Sequence, residues 1–573
     1  MKTNKLKVET LFYSLGGMRE IGKNLYCIEQ NEEVIIIDAG IKFPSWDTSE
    51  WIEKIFPNLS YLKKKRILGI IITHGHEDHI GAITYLLEHF GKKNIYTSKF
   101  TSALLLARIE ETFKKDKKKW KKIVKIVDEF SEINIPPFKI SFFQVNHSIP
   151  GALGVIIHTN QGIIVATGDY KISSIGTIAK QTDLKKLSKL AKEQGIDLLL
   201  ADSTNSEIEG RTPGEEEVIR TAEQAIKKTR GKVFFTSFAT NFLRIKEIIS
   251  VAHSLNRQVK LVGKSLERML KISKDNELLG WTEEAAQTIN LTNKLFKKEE
   301  NNKQLLICTG SQGEQGSVLE RIVHAHRHFI TSSDSVILSS SAIPGNFLRV
   351  RWLEELLKKL THNVLTNSDK KDKKQIVHVS GHAAKEEQKL LLLTTKPKYF
   401  IPIHGDLRMM IKQKETAEST GIKGENIFLP RNGTIISMKN GKCRIVEELD
   451  KKFTDPLFLL KQRNRKKSKK LIDQTQLDKQ LRIQLNGILI IQWIKDLKNA
   501  NLQLLTKGTC PNCFKKEKIK KMEKSLWDII KIKLKDPETK EDIGNIDKQL
   551  KGAIRTQINN KKCLPEMIFV SSS

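Results

Sequence analysis

Cysteine is scarce in this 573-residue chain: Cys27, Cys308, Cys443, Cys510, Cys513 and Cys563 are all there are. Their irregular spacing argues against a disulfide scaffold and points to a reducing compartment. Long apolar runs are missing too. None approaches the roughly 18 residues that a membrane span needs, so no membrane segment is expected. The opening Met1-Lys2-Thr3-Asn4-Lys5-Leu6-Lys7 has no apolar stretch behind it, so a secretory signal is not expected there. A cytoplasmic protein is the simplest reading. No repeat of long period is visible. Acidic residues are outnumbered: 66 Asp and Glu face 99 Lys and Arg, for a net charge of +33. That excess fits a polyanionic partner. It is mostly lysine spread along the whole chain, however, and supports nucleic acid only weakly.

At this length the chain should hold about three or four domains. Its most informative segment is Thr73-His74-Gly75-His76-Glu77-Asp78-His79-Ile80-Gly81-Ala82, directly after the apolar run Ile67-Leu68-Gly69-Ile70-Ile71-Ile72. The apolar run reads as a buried strand. The polar segment is then the loop at its C-terminal edge, where α/β proteins bind ligands. Neutral imidazole and carboxylate suit zinc or manganese. His74, His76, Asp78 and His79 lie so close together that two ions are more natural than one closed structural site.

The same plan recurs along the chain. Apolar strands lead to Asp38, Asp169 and Asp202 at their tips. One sheet whose edge carries a site is implied. Residues 1–208 form the first part of that domain. Residues 209–374 read as a separate α/β unit, with strands at Gly231–Thr236, Gln258–Val262, Gln304–Cys308 and Ser335–Leu338 and a helix at Glu215–Thr229. Residues 375–446 return to the first pattern, with strands at Ile376–Val379 and Tyr399–Ile403 followed by His382 and His404. If these histidines join the first cluster, the middle unit is an insertion into a discontinuous domain. Residues 447–470, with their basic run, read as a linker, and residues 471–573 as a small C-terminal domain.

Strand ends elsewhere supply the donors that the loop lacks. A bimetal set results: His74, His76 and His147 on one ion, Asp78, His79 and His404 on the other, and Asp169 bridging. Taken singly, His147 and His404 would more often be satisfied loop histidines. Together with the loop they make a ligand set. Two ions about 3.5–4 Å apart lower the pKa of water and stabilise attacking and leaving oxygens at phosphorus. Asp38 either orients an imidazole or caps a loop.

These residues resemble the ribonuclease J family, metallo-β-lactamase proteins with a β-CASP insertion. The resemblance runs through Leu15–Asn24, His74–Ala82, Thr167–Lys171, Thr309–Glu314, His378–Ala383 and His404–Asp406, and covers nearly the whole chain. It implies an α/β fold: a four-layer αβ/βα sandwich split by the β-CASP insertion, then a small C-terminal α/β domain. It carries metal ligation onto the same seven positions, with Asp78 also counted as catalytic. Asp202, His382 and His404 fall on the family's three β-CASP motifs. The resemblance makes His382 a general acid or leaving-group stabiliser. Residues His378, Val379, Ser380, Gly381 and His382 match the substrate-phosphate loop, whose small residues let N–H groups approach an anionic oxygen. Ser311 and Ser339–Ser341 are either further phosphate contacts or ordinary turns. Phe43, Trp46 and Phe347 are candidates for stacking on bases, with burial in a core the commoner fate.

The implied activity is metal-dependent ribonuclease action, 5′-to-3′ on RNA with a 5′-monophosphate plus internal cleavage, in rRNA processing, RNA maturation and mRNA decay. The implied cofactors are two divalent ions, Zn²⁺ before Mn²⁺ or Mg²⁺. The implied partners are single-stranded RNA and a second copy of the chain or a paralogous subunit. Departures from the family pattern are Ala82, Asp406 in place of glutamate, and Cys510-x-x-Cys513, which is either a divergent strand or turn or a zinc half-site. Two other readings compete. One is a thioester or lactam hydrolase, for which the middle unit has no use. The other is a weakly active or inactive partner subunit of a ribonuclease heterocomplex, which loss of any metal ligand would favour.

Overall fold

The structure is a computed structural model. It describes residues 8–45, 48, 52–114, 120–172, 181–275, 303–314, 316–343, 346–367, 375–460, 471–477, 488–494, 502–507, 566–572 and four positions between 520 and 528. Trp46, Cys510, Cys513, the basic run 461–470 and the turn at Pro344 and Gly345 lie outside the described residues. The chain divides into two units, residues 1–469 and 470–573.

In the first unit, two sheets enclose a shared core. The larger runs in the order Lys442–Glu448, Thr434–Lys439, Thr10–Gly16, Leu25–Gln30, Glu33–Ile37, Arg66–Ile71, Ile95–Thr97, Val124–Ile126. The smaller runs Tyr399–Ile403, Leu198–Asp202, Gly162–Ala166, Leu153–Thr159, Phe138–Gln144, Glu132–Ile135. Successive side chains on a strand point to opposite faces. Ile164, Leu198 and Leu200 therefore enter the core shared with Ile28, Ile35 and Ile71. Val165, Leu199 and Ala201 turn the other way, onto Leu187 and Leu391 of helices Leu184–Glu193 and Lys385–Thr395. Burial on both faces is why these strands read as unbroken apolar runs.

Leu198–Asp202 pairs in parallel with Tyr399–Ile403, with Asp202 opposite Ile403. Segments far apart in sequence thus complete one sheet, and the residues between them form an inserted unit. Its own sheet is entirely parallel, in the order Gln258–Val262, Gln304–Cys308, Val233–Thr236, Ser335–Leu338, Asn363–Leu365. Val233, Phe235 and Ile307 pack on one face, and Phe234, Leu306 and Val336 on the other.

Two expectations need correction. Ile376–Val379 alternates like a strand but joins no ladder. The N–H groups of Val377 and His378 and the carbonyls of Val377, His378 and Val379 are met by side chains instead. Leu457–Leu460, expected inside the linker, is a strand antiparallel to Ile52–Phe56. In the second unit, Ile488–Ile494 pairs antiparallel with Leu502–Lys507 and parallel with Glu566–Ser572. No helix among the described residues is long and apolar enough to cross a membrane.

Candidate metal centre

The tips of five strands converge on one edge of the sandwich. Arg66–Ile71 leads into His74–His79, Phe138–Gln144 into His147, Gly162–Ala166 into Asp169, and Tyr399–Ile403 into His404; Leu198–Asp202 ends on Asp202 itself. Close approach dictates local residue choice. A Cβ on Gly40 would overlap the Asp78 carbonyl, so only glycine lets the two loops meet. Asp38 and His404 both adopt left-handed backbone, with φ of 64° and 53°. That conformation is uncommon outside glycine, and strain of this kind collects at functional sites.

Two donor groups form around Asp169. His74, His76, His147 and Asp169 offer atoms that all lie within 4.8 Å of one another, as do Asp78, His79, Asp169 and His404. In the first group, His76 Nδ1 is 3.1 Å from both His74 Nε2 and His147 Nε2. Asp169 Oδ2 is 3.6 Å from His74 Nε2 and 3.7 Å from His147 Nε2. In the second, Asp169 Oδ2 is 3.2 Å from His79 Nε2, and Asp78 Oδ2 is 3.2 Å from His404 Nε2.

The outer nitrogens explain why the inner ones face inward. His79 Nδ1 lies 2.7 Å from Asp38 Oδ2 and donates to it. The Thr73 hydroxyl donates to Asp38 at 2.9 Å and accepts from His74 Nδ1 at 3.1 Å. His147 Nδ1 donates to the Gly381 carbonyl at 2.8 Å. Thr204 Oγ1 donates to the His404 carbonyl at 2.7 Å and accepts from His404 Nδ1 at 3.1 Å. Each bond places a proton on Nδ1 and turns Nε2 toward the neighbouring donors, the orientation that outer-shell partners impose on metal-binding histidines.

This donor set fits divalent cations. Nitrogens about 2.0–2.1 Å from a tetrahedral ion stand roughly 3.3 Å from one another, close to the spacing seen here. Burial, then His79, holds His74 well below the usual imidazole range; burial, then His76, does the same for His147. Burial pushes His76 down to about 4. All three therefore keep their lone pairs. His79 and His404 go the other way. Burial opposes the shift, but Asp169 and its neighbouring carboxylates raise His79, and raise His404 to about 10. The same negative potential favours a cation between Asp78 and Asp169. Asp169 Oδ1 is buried and accepts no hydrogen bond among the described residues.

Beside the two groups, His382 Nδ1 lies 2.6 Å from Asp202 Oδ2. Burial opposes protonation of His382, yet Asp202 and then Asp169 raise its pKa. The loop carrying His382 has every carbonyl turned inward. His378 O accepts from Asn367 at 2.9 Å, Val379 O from Arg244 at 3.3 Å, and Ser380 O from Lys171 at 3.3 Å. Gly381 O takes His147, and His382 O takes Thr212 at 2.8 Å and Asn205 at 3.2 Å. The N–H groups of Val379, Ser380 and Gly381 have no acceptor among the described residues. Successive backbone N–H groups without acceptors bind an anion where they converge on it.

The other expected residues fall around this centre. Ser311 is buried in the turn after Gln304–Cys308. Its neighbour Gln312 makes the contacts, donating to Ser341 O at 2.8 Å and to Ser340 Oγ at 3.2 Å. Phe43 and Phe347 are 46% and 61% exposed, so neither is a core residue. Asp406 caps helix Leu407–Ser419, accepting from Met409 N at 2.9 Å. Sequence reasoning missed Thr73, Thr204, Asn205, Glu215 and Arg244. Thr73 was findable, being next to His74; the others act across long sequence separations and carry no local signal.

Comparisons with known proteins agree with this geometry. Residues 19–180 match the metallo-beta-lactamase superfamily, residues 230–357 the ribonuclease J beta-CASP domain, and residues 371–430 the Zn-dependent metallo-hydrolase RNA specificity domain. A protein named Ribonuclease J from Mycoplasma genitalium is 34% identical over 88% of this chain and 86% of its own length. One from Mycoplasma pneumoniae is 36% identical over 79% and 77%. A solved structure from Enterococcus faecalis V583, described as a protein of unknown function, matches with a TM-score of 0.51 at 15% identity. It covers 75% of this chain and 100% of its own, and speaks to the fold alone. With these relatives and a metallo-β-lactamase fold interrupted by a β-CASP unit, the chain belongs to the ribonuclease J family.

Proposed function

We propose that the chain is a two-metal ribonuclease that degrades single-stranded RNA 5′-to-3′ from a 5′-monophosphate and also cuts internally. The observation that carries this reading is the bond between His147 Nδ1 and Gly381 O, 2.8 Å long. It ties the candidate metal centre to the loop of free N–H groups. A phosphate held by the loop therefore lies beside the cluster.

His74, His76 and His147 would hold one cation and Asp78, His79 and His404 the other, with Asp169 shared; Zn²⁺ suits the donors best, with Mn²⁺ or Mg²⁺ the alternatives. Such ions supply Lewis acidity toward phosphoryl oxygens and a more acidic water. The chain's own groups do the remaining work. Asp202 accepts a hydrogen bond from His382 Nδ1–H and favours the protonated ring, whose Nε2–H is then available to the departing oxygen. The N–H groups of residues 379–381 hold an anionic oxygen in place. Exposed Phe43 and Phe347 are candidate stacking surfaces for bases, and the net charge of +33 favours a polyanion. Assembly with a second copy or a paralogous subunit, and a cytoplasmic location, belong to the same reading.

One RNA prepared with 5′-monophosphate, 5′-triphosphate and 5′-hydroxyl ends tests it, with Mn²⁺ or Zn²⁺ and beside His76→Ala. Mononucleotides released mainly from the monophosphate form support the exonuclease. Internal fragments independent of the end shift the activity to an endonuclease. Absence of metal-dependent cleavage would favour an inactive partner subunit, and cleavage retained in His76→Ala would sink the metal assignment.

A further inference from the structure

Arg244, on helix Phe242–Ser254 of the inserted unit, is 1% exposed. A guanidinium buried this deeply is costly unless every hydrogen is used. Nε and Nη2 reach the two oxygens of Glu215 at 2.8 and 2.9 Å, a bidentate pair. Nη1 lies 2.8 Å from His378 Nδ1 and 3.2 Å from both Ser339 O and Ser339 Oγ. Nη2 also lies 3.3 Å from Val379 O. The Asn241 carboxamide, with its oxygen turned to the guanidinium, stands 3.0 and 3.2 Å from Nη1 and Nη2.

A guanidinium only donates. The contact with His378 therefore has one sign: Arg244 gives the hydrogen and Nδ1 takes it. A neutral ring whose Nδ1 accepts carries its proton on Nε2. The Ser339 carbonyl, which would favour a proton on the ring, is itself engaged by Arg244. Burial, and then Arg244, pushes His378 down to about 3.

We propose that Arg244 is a positioning residue that acts through His378: it holds the imidazole as the neutral Nε2–H tautomer and draws the Val379 carbonyl inward. The loop then meets an anion with neutral, directed N–H donors. Glu215 compensates the guanidinium charge, so end selectivity comes from donor placement rather than from a free cation. Lys171, Asn367 and Asn205 hold the neighbouring carbonyls in the same sense. This inference rests on reading residues 378–382 as the phosphate-binding loop.

The test is nitrogen–proton correlation spectroscopy of the full metal-loaded chain carrying ¹⁵N-histidine. The His378 signal is identified by its loss in His378→Gln. Wild type is expected to show unprotonated Nδ1 and protonated Nε2 at neutral pH. A charged ring, or the Nδ1–H tautomer, overturns the proposal without any Arg244 variant. Arg244→Lys keeps a cation beside Glu215 but loses the fork. With folding checked by thermal melting, it should mix the two His378 tautomers. KM for a 5′-monophosphorylated oligonucleotide should rise about tenfold, the worth of one hydrogen bond to a charged group, while kcat changes less than about twofold. An unmixed His378 tautomer in Arg244→Lys overturns the proposal. A wild-type enzyme with the stated tautomer but equal KM for 5′-monophosphate and 5′-hydroxyl RNA overturns the loop reading alone.

Discussion

His147 Nδ1 sits 2.8 Å from the carbonyl oxygen of Gly381, joining the tip of a strand in the first segment to a loop in the second. One ring thus faces the candidate metal group with Nε2 and steadies the candidate phosphate loop with Nδ1. A side chain at position 381 should disturb both at once. A Cβ there would stand 2.6 Å from His147 Cε1, 2.8 Å from Nδ1 and 2.9 Å from Ser148 Oγ. His147 is buried against His76 and has little room to yield. Gly381→Ala is therefore expected to weaken Zn²⁺ binding about 10–100-fold, as loss of an outer-shell partner does. Calorimetric metal titration measures it; unchanged affinity would show that this bond does not orient the ligand.

Asp38 serves two histidines, His79 directly and His74 through Thr73. Asp38→Asn suits its left-handed backbone, since asparagine tolerates positive φ. The amide cannot accept at both oxygen positions, and one of its ends now donates. The variant should fold with a near-normal melting temperature yet bind metal about 10–100-fold more weakly. Full affinity in a folded Asp38→Asn protein would reduce Asp38 to a loop cap.

The His382–Asp202 pair offers a test of whether chemistry and metal binding separate. His382→Gln should lower kcat by about 10²–10⁴-fold, the range for loss of a general acid. Asp202→Asn should fall in the same direction, because the amide no longer selects the right tautomer of His382. Both should retain two metals per chain by elemental analysis. Loss of one metal from either variant would recast the pair as ligands, since Asp169, Asp202, His382 and His404 also lie within mutual reach.

The candidate ligand loop stands out in the sequence because its donors are local: His74, His76, Asp78 and His79 follow one apolar strand. His147, Asp169 and His404 became legible only as tips of further strands, and the parallel pairing of Leu198–Asp202 with Tyr399–Ile403 is what brings the last of them in. Ile376–Val379 misled because alternation reports which side chains are buried, not which groups bond the backbone. Asn367 meets the N–H groups of Val377 and His378 at 3.3 and 3.2 Å, and among the described residues no strand takes that place. Arg244 was invisible for a related reason. It sits in an ordinary helix, and its partners Glu215, Ser339 and His378 meet it only in the folded chain.

Glu215 gives the inserted unit a pH signature. Burial alone would raise its pKa, but Arg244 and then Lys171 outweigh it, so the carboxyl stays below its usual range. A depressed native pKa means the folded state binds this proton less readily than the unfolded chain. The resulting stability is complete above the unfolded value of about 4.3 and drains away as pH falls through the lowered native value. Of the groups facing it, His378 stays neutral until about pH 3. Lys171 lies 3.7 Å away, its pKa lowered chiefly by burial. Glu215→Gln leaves a buried guanidinium without its counter-ion, a loss of roughly 3–5 kcal/mol at pH 7. The gap between wild type and variant should narrow steadily as unfolding is repeated from pH 5 toward pH 3, because wild type loses there what the variant never had. A gap independent of pH would mean that the carboxylate's charge contributes nothing beyond its shape.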